Sequence, residues 1–397
     1  MTYISGIPVK RLDHKCKEPA TPGIYYHYTS LETLWAILDS DTLRATQARF
    51  SNDSEEIKKG VHLLKELCSQ HKGGPLEKYT NQLEYGSGED IDCYIACFCG
   101  ANDVLSQWRG YCRNDGVSIG FAFDETQRCF YFSDAPDNEQ EPQKIHLYPV
   151  WYVAEDSQVY KEKKIITENN LIEELMEKLE TLDKLSDEQT CKVFIDATIP
   201  LIKHAGFCEE DEYRLIIQNT LLEHGGKVTF PLNKYVQYSP MEGLKRPYIT
   251  IGFGKNRMDS HVKEVRLYGL KRSSEKELRR LMLPAHIRKK RNPEYRIIHE
   301  KGWTGTPQIV IGQGKDQEDV FEALDRILTA DAGQDNRLFP DVKLWCEGHL
   351  PIRTIMVSPC QNQKEVIESI RHYCLHKKYW MKYVEIGGSS TPYRRPK

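Results

Sequence analysis

The chain has 397 residues, 39% of them hydrophobic and 28% charged, with a formal net charge of −3. That balance fits a globular protein with more than one compact unit and argues against a surface given over wholly to nucleic acid. No apolar run reaches bilayer length and MTYISGIPVKRLDHKCKEPATPG contains no apolar leader, which implies no membrane contact and a cytoplasmic location.

The first clear element is GIYYHYTS at 23–30. It reads as a strand with Tyr25, His27 and Thr29 on one face and Tyr26 and Tyr28 on the other, halted at Ser30. Ser30 can then cap a helix in which Leu31, Leu34, Trp35 and Leu38 recur at helical spacing. A short strand around TLRAT precedes RFSNDSEEIKKGVHLLKEL, where Asn52 or Asp53 is placed to cap a helix with Glu55 and Glu56 in its first turn. A loop-rich connection follows, and CYIACFC returns to strand. Cys93, Cys97 and Cys99 share a face of that strand, yet ligands strung along one strand poorly surround a tetrahedral ion. The twelve cysteines therefore read as reduced, these three as small core residues, and no metal is expected.

DVLSQWRGYCRNDGVSIGFAF combines a short helix, a turn at Asn114, Asp115 and Gly116, and a strand whose Val117, Ile119, Phe121 and Phe123 point inward. Two longer helices are expected in NNLIEELMEKLETLDKL and DEQTCKVFIDATIPLIKHA, the second kinked near Pro200. They lead into FCEEDEYRLI at 207–216. Read as a strand, it puts Glu210, Glu212 and Arg214 on one face, with Tyr213 and Leu215 on the other. Such a row is either the solvated side of a half-buried strand or the wall of a pocket.

Further strands are expected in KVTFPL, YITIGF, EVRLYGL, QIVIG, IRTIMVS and YVEIGGSSTPYR, with helices in DQEDVFEALDRILTA and NQKEVIESIRHYCL. The segment EKELRRLMLPAHIRKKRNPEYR gathers Arg288, Lys289, Lys290 and Arg291, either a solvated basic loop or a patch for a protein or nucleic-acid acceptor. Strands and helices mix without regular β-α-β alternation, so the fold class is α+β. Walker-type, dinucleotide-fingerprint, HExxH and GxSxG motifs are all missing.

HYTSLETLWAIL, LRATQARFSND, LSQWRGYCRNDGVSIGF, KHAGFCEEDEYRL, IRTIMVSPCQNQ and SSTPYR closely resemble the successive motifs of the DUF2971 family. The resemblance spans about residues 24–255 and 350–397. It implies a core over 1–255 and 350–397, interrupted by an inserted α/β subdomain at 256–349 that carries the basic segment. Ser54 stands where many relatives have proline, and the insertion is longer than the family usually carries.

The order of polar residues is similar to that of ADP-ribosyltransferases: an early histidine, a central aromatic, and a Glu-x-Glu strand. That similarity implies a mainly antiparallel mixed sheet with flanking helices, and NAD as a substrate cleaved between nicotinamide and ribose. It also implies a bacterial toxin or an antiphage effector. The leaving group departs neutral and the ribose becomes cationic, so a carboxylate beside the ring is needed. Glu212 takes that role, Glu210 accepts the acceptor's proton, and His27 hydrogen-bonds a ribose or phosphate. Arg109 or Arg214 clamps the pyrophosphate, and Trp108 or Tyr28 stacks on a ring. Thr29, Asn52, Asp53, Ser106 and Tyr111 complete the nucleotide-binding set. His27 and Trp108 also read as core residues, and Arg214 as the internal partner of a glutamate. Two other functions stay open: a nuclease with magnesium on Asp53, Glu56, Glu210 and Glu212, and a non-catalytic nucleotide-sensing module.

Overall fold

The computed structural model describes residues 3–4, 7–8, 23–50, most of 57–65, 93–112, 115–123, 129–132, 143–144, 147–154, 165–167, 198–218, 223–224, 227–228, 235–241, 244–252, 265–267, 295–298, 308–311, 344–346, 349–377, 381 and 384–391. In chain order a hairpin of β1 (Tyr3–Ile4) and β2 (Ile7–Pro8) precedes β3 (Gly23–Ser30), α1 (Leu31–Ser40), β4 (Leu43–Gln47) and β5 (Cys93–Cys99). Then come α2 (Leu105–Tyr111), β6 (Gly116–Phe123), β7 (Cys129–Phe132), β8 (Gln143–Lys144), β9 (Leu147–Pro149), β10 (Trp151–Ala154) and β11 (Ile165–Thr167). The next strands are β12 (Ile202–His204), β13 (Glu212–Gln218), β14 (Glu223–His224), β15 (Lys227–Val228), β16 (Val236–Met241) and β17 (Leu244–Gly252). Four short strands follow, β18 (Val265–Leu267), β19 (Tyr295–Ile298), β20 (Gln308–Ile311) and β21 (Leu344–Cys346), and the last elements are β22 (Ile352–Val357), α3 (Gln363–Lys377) and β23 (Glu385–Gly388).

A twelve-stranded sheet dominates, with the path β23-β22-β6-β3-β5-β4-β17-β7-β8 and with β13, β9 and β16 paired off it. Its pairs are antiparallel except β22 with β23. This is a mixed α+β architecture with few helices among the described residues. A separate three-stranded parallel sheet has the order β11-β10-β12, and β18 to β21 form a four-stranded sheet drawn wholly from residues 265–346.

Local sequence accounts for the central elements. Ser30 is extended (ψ 158°) and its Oγ accepts from the Thr33 amide at 3.1 Å, satisfying one of the open donors at the start of α1. Asp41 ends α1 in the left-handed region (φ 53°), and its carboxylate accepts from the Leu350 amide at 3.1 Å and pairs with His349. Alternation does the rest: Val117, Ile119 and Phe121 of β6 join Leu215, Ile217, Ile249, Ile251, Ile355 and Val357 in one apolar face. Leu34 and Leu38 of α1, with Val366 and Ile370 of α3, close over it. Each large aliphatic or aromatic side chain buried this way contributes about 1.5–3 kcal/mol.

β5 is where the sheet divides. One edge pairs along its whole length with β13, from Glu212 opposite Cys99 to Gln218 opposite Cys93. The other edge is shared, β3 meeting it at Tyr26 opposite Cys99 and β4 at Thr46 opposite Ile95. Between those contacts the Cys97 carbonyl accepts a hydrogen bond from His27 Nδ1 at 2.9 Å. That bond fixes the tautomer, because a carbonyl only accepts.

Two sequence expectations are corrected here. Residues 202–204, expected inside a helix, form β12, because Pro200 sits in a 3₁₀ turn at Ile199–Leu201 and the chain leaves it extended. FCEEDEYRLI is not one strand either. Ala205–Glu210 is a 3₁₀ helix, Asp211 is left-handed (φ 40°), and β13 begins at Glu212. The helices expected in 169–197 and 316–330 and the segment Arg288–Arg291 lie outside the described residues, as do Asn52, Asp53 and Glu56.

Candidate functional site

Two faces of the sheet differ in character. Register carries one face through Phe98, Leu215, Ile119 and Phe121, the apolar core. The other carries a straight cross-strand row: Glu385, Thr354, Gly120, Tyr26, Cys99 and Glu212. The row on its flank contains Met356, Ser118 and Tyr28, and on the same face of β13 Arg214 lies opposite Cys97. Polar chemistry gathers on this second face.

Its densest part is a four-charge network. Arg214 donates through Nε to Glu212 Oε1 at 2.7 Å and through Nη2 to Oε2 at 3.1 Å, while its Nη1 donates to the Pro200 carbonyl at 2.6 Å. Lys203, carried in by β12, donates Nζ to Glu212 Oε2 and Glu210 Oε2, both at 2.7 Å. Lys203 and Glu212 are 4% and 5% exposed, and Glu210 retains 16%, so of the two carboxylates Glu210 is the one turned toward water. Burial pushes the Glu212 carboxyl upward, but Arg214 and Lys203 overcome it and hold the pKa at about 2. The backbone of Glu212 is fixed too, its amide donating to Tyr152 Oη at 2.6 Å and its carbonyl accepting from Val150 N at 3.1 Å.

Tyr111, at the end of α2, faces this network. Burial raises its phenol pKa, and Cys97, Glu210 and Glu212 raise it further. Cys97 is largely buried; burial and the neighbouring Glu212 drive its thiol well above the ordinary range. Tyr26 is partly buried, its phenol pushed up by burial and by Glu385 across the row. Two cations already neutralise the two carboxylates, which disfavours a divalent cation at that spot. Among the described residues no three His, Cys, Asp or Glu side chains group as metal ligands.

α2 covers the flanking row. Trp108 is buried against Tyr28, ring centroids 4.8 Å apart and nearly perpendicular, within a small cluster that includes Cys99 and Cys112. The Tyr28 hydroxyl donates to the Ala101 carbonyl at 3.1 Å and accepts from Val104 N at 3.0 Å. Trp108 Nε1 donates to Asp103 Oδ1 at 2.9 Å. The same Asp103 carboxylate accepts from the Ser389 hydroxyl, from Ser390 N and Oγ at 3.1 Å each, and from Thr391 Oγ1 at 3.0 Å. It thereby fastens the segment after β23 to the loop before α2.

Measured against the sequence-derived set, Glu210, Glu212, Arg214 and Tyr111 come together. His27 does not: it lies on the core face beside Phe98 (ring centroids 5.8 Å), on the side of the sheet opposite Glu212, and burial lowers its pKa. Trp108 and Tyr28 pack against each other and both hydrogen-bond to the 101–104 segment, leaving neither as an open stacking platform. Arg214 is ion-paired with Glu212. Thr29 shares the His27 face, its carbonyl accepting from the Cys112 thiol at 3.4 Å. Ser106 has a buried hydroxyl with no hydrogen-bond partner among the described residues, and Arg109 is exposed on α2.

Sequence reasoning missed Lys203, Tyr26, Tyr152, Asp103 and Glu385. Lys203 was hidden in a stretch whose apolar spacing continues the preceding helix; Pro200 was the signal that the helix had ended.

The span from α2 through β13 carries the network and one recognisable signature. Residues 107–215 match DUF2971. The model of that family is described as a protein of unknown function, and the matched span holds Tyr111, Lys203, Glu210, Glu212 and Arg214. It is narrower than the resemblance read from the sequence motifs, and Tyr26 and residues 350–397 fall outside it. No curated protein and no solved structure matches the chain. No helix of the described residues is long and apolar enough to cross a membrane.

Proposed function

We propose that the protein is an ADP-ribosyltransferase-like enzyme that uses NAD as substrate and cleaves its nicotinamide–ribose bond. The observation that carries the reading is a buried Glu212, its pKa held low by Arg214 and Lys203, and a more accessible Glu210 joined to it through one buried lysine. Buried ion networks cost desolvation and are often replaceable by apolar residues, so a buried four-charge cluster facing a tyrosine marks a functional site.

The roles shift with the geometry. Cleavage sends the bonding electron pair out with nicotinamide and leaves positive charge on the ribose ring. Glu210 is the carboxylate that meets that charge and then takes the proton of an attacking hydroxyl, amine or water. Glu212 acts through Lys203, positioning Glu210, and Arg214 locks Glu212. Tyr26 and Tyr111 replace Tyr28 and Trp108 as the rings bordering the substrate. An enzyme of this kind would serve as a bacterial toxin or antiphage effector.

Incubation with NAD and candidate acceptors is expected to release nicotinamide, measured chromatographically. Glu210→Gln is expected to lower kcat by on the order of 10²–10⁴ with the fold retained by circular dichroism. No release with any acceptor, together with no NAD binding, overturns the reading. The full engagement of both Glu212 oxygens favours a second reading, a nucleotide-sensing module without chemistry. NAD binding without turnover would select it.

A further inference from the structure

α3 turns one face to the sheet and another to solvent. Val366, Ile370 and Cys374 are buried, and His372 and His376 are exposed on the outer side. Spacing of four residues stacks neighbouring side chains along a helix surface, and the two imidazole rings lie 4.3 Å apart between centroids with a 46° interplanar angle. Among the described residues neither ring hydrogen-bonds to a neighbour. The helix beneath them is firmly held: Arg371 Nη2 donates to the Ile386 carbonyl at 2.8 Å, and the Tyr373 hydroxyl donates to Asp39. The nearest acidic side chain one turn back, Glu368, is exposed and paired with Arg371 at 2.8 Å, an exposed bond that yields readily.

We propose that His372 and His376 form a two-imidazole chelate for a divalent transition-metal ion, with water completing the coordination. Imidazole nitrogen suits zinc, nickel and copper, with metal–nitrogen distances of about 2.0–2.1 Å, and two histidines four residues apart on one helix have the spacing at which helical sites hold such an ion between them. Because one rigid helix carries both ligands, the second bond forms at high effective concentration, which is the origin of the affinity. A bound ion would brace the last turn of α3. The site is independent of the NAD reading and lies outside the residues that carry it.

The test is calorimetric titration of the full-length, untagged chain with Ni²⁺, a nitrogen-preferring probe, in a non-chelating reductant that keeps thiols reduced. His372→Asn and His376→Asn, both at exposed positions, are each expected to remove one binding equivalent from the titration. Circular dichroism of both variants is expected to match wild type, and paramagnetic broadening by Ni²⁺ is expected to centre on α3. A wild type that binds no Ni²⁺ at any concentration leaving it folded overturns the proposal. So does retention of the equivalent in either single variant, since a chelate needs both rings.

Discussion

Glu212→Gln tests the buried network directly. In the folded chain Arg214 and Lys203 hold the Glu212 pKa at about 2, against an ordinary value of 4.5. The difference of about 2.5 units corresponds to about 3 kcal/mol of stability from the ionised form. A depressed carboxylate contributes that stability above its unfolded pKa and loses it as pH falls through the folded pKa. The contribution is therefore fully present at neutral pH and declines between about 4.5 and about 2. The amide keeps the shape but not the charge, leaving Lys203 and Arg214 buried with one fewer counterion. Urea denaturation at neutral pH is expected to show the variant about 3 kcal/mol less stable, and the gap is expected to shrink to about 2 kcal/mol near pH 3.5. A gap under about 1 kcal/mol at neutral pH, or one that does not change with pH, would refute the account of the network.

Asp103→Ala removes the acceptor shared by Trp108, Ser389, Ser390 and Thr391. It is expected to cost about 1.5–3 kcal/mol and to expose the 389–391 segment to limited proteolysis; Asp103→Asn is expected to recover part of the loss. Burial raises the Asp103 pKa, yet hydrogen bonds from Ser389, Trp108 and Thr391 outweigh it and lower the pKa, so this clamp weakens as pH falls. Gly116→Ala would place a Cβ 2.3 Å from Cys112 Cβ and 2.8 Å from the Thr29 carbonyl oxygen, and is expected to lower the urea midpoint by the equivalent of about 1–3 kcal/mol. An unchanged midpoint would show that α2 and β3 can give way there.

The framework was legible where local signals agreed. Alternation across GIYYHYTS and GVSIGFAF, and the cap at Ser30, pointed to β3, β6 and α1, because side-chain periodicity and a hydroxyl at a helix start act within a few residues. YITIGF, IRTIMVS and NQKEVIESIRHYCL likewise correspond to β17, β22 and α3. FCEEDEYRLI misled because charge alternation says nothing about Asp211. Its left-handed backbone is held by a long-range bond, the Gly100 amide donating to the Asp211 carbonyl at 2.8 Å. His27 misled for a different reason: its face was read correctly, but which face the site uses depends on register through β3, β5 and β13. Lys203 could be placed only once the parallel pairing of β12 with β10 was known.

The pairing of β6 with β22 has a kinetic consequence. Gly116 N donates to Ser358 Oγ, and the Ser358 amide returns a bond to the Gly116 carbonyl, across a separation of 242 residues. During synthesis β6 must wait, its Val, Ile and Phe side chains already committed on one face and its outer backbone edge unpaired. Such an edge recruits any extended partner it meets, and contacts this distant in sequence form slowly. Nascent chains are therefore most prone to misassociation after residue 123 emerges and before 352–357 arrives. A chaperone that shields strand edges would have its greatest effect in that interval.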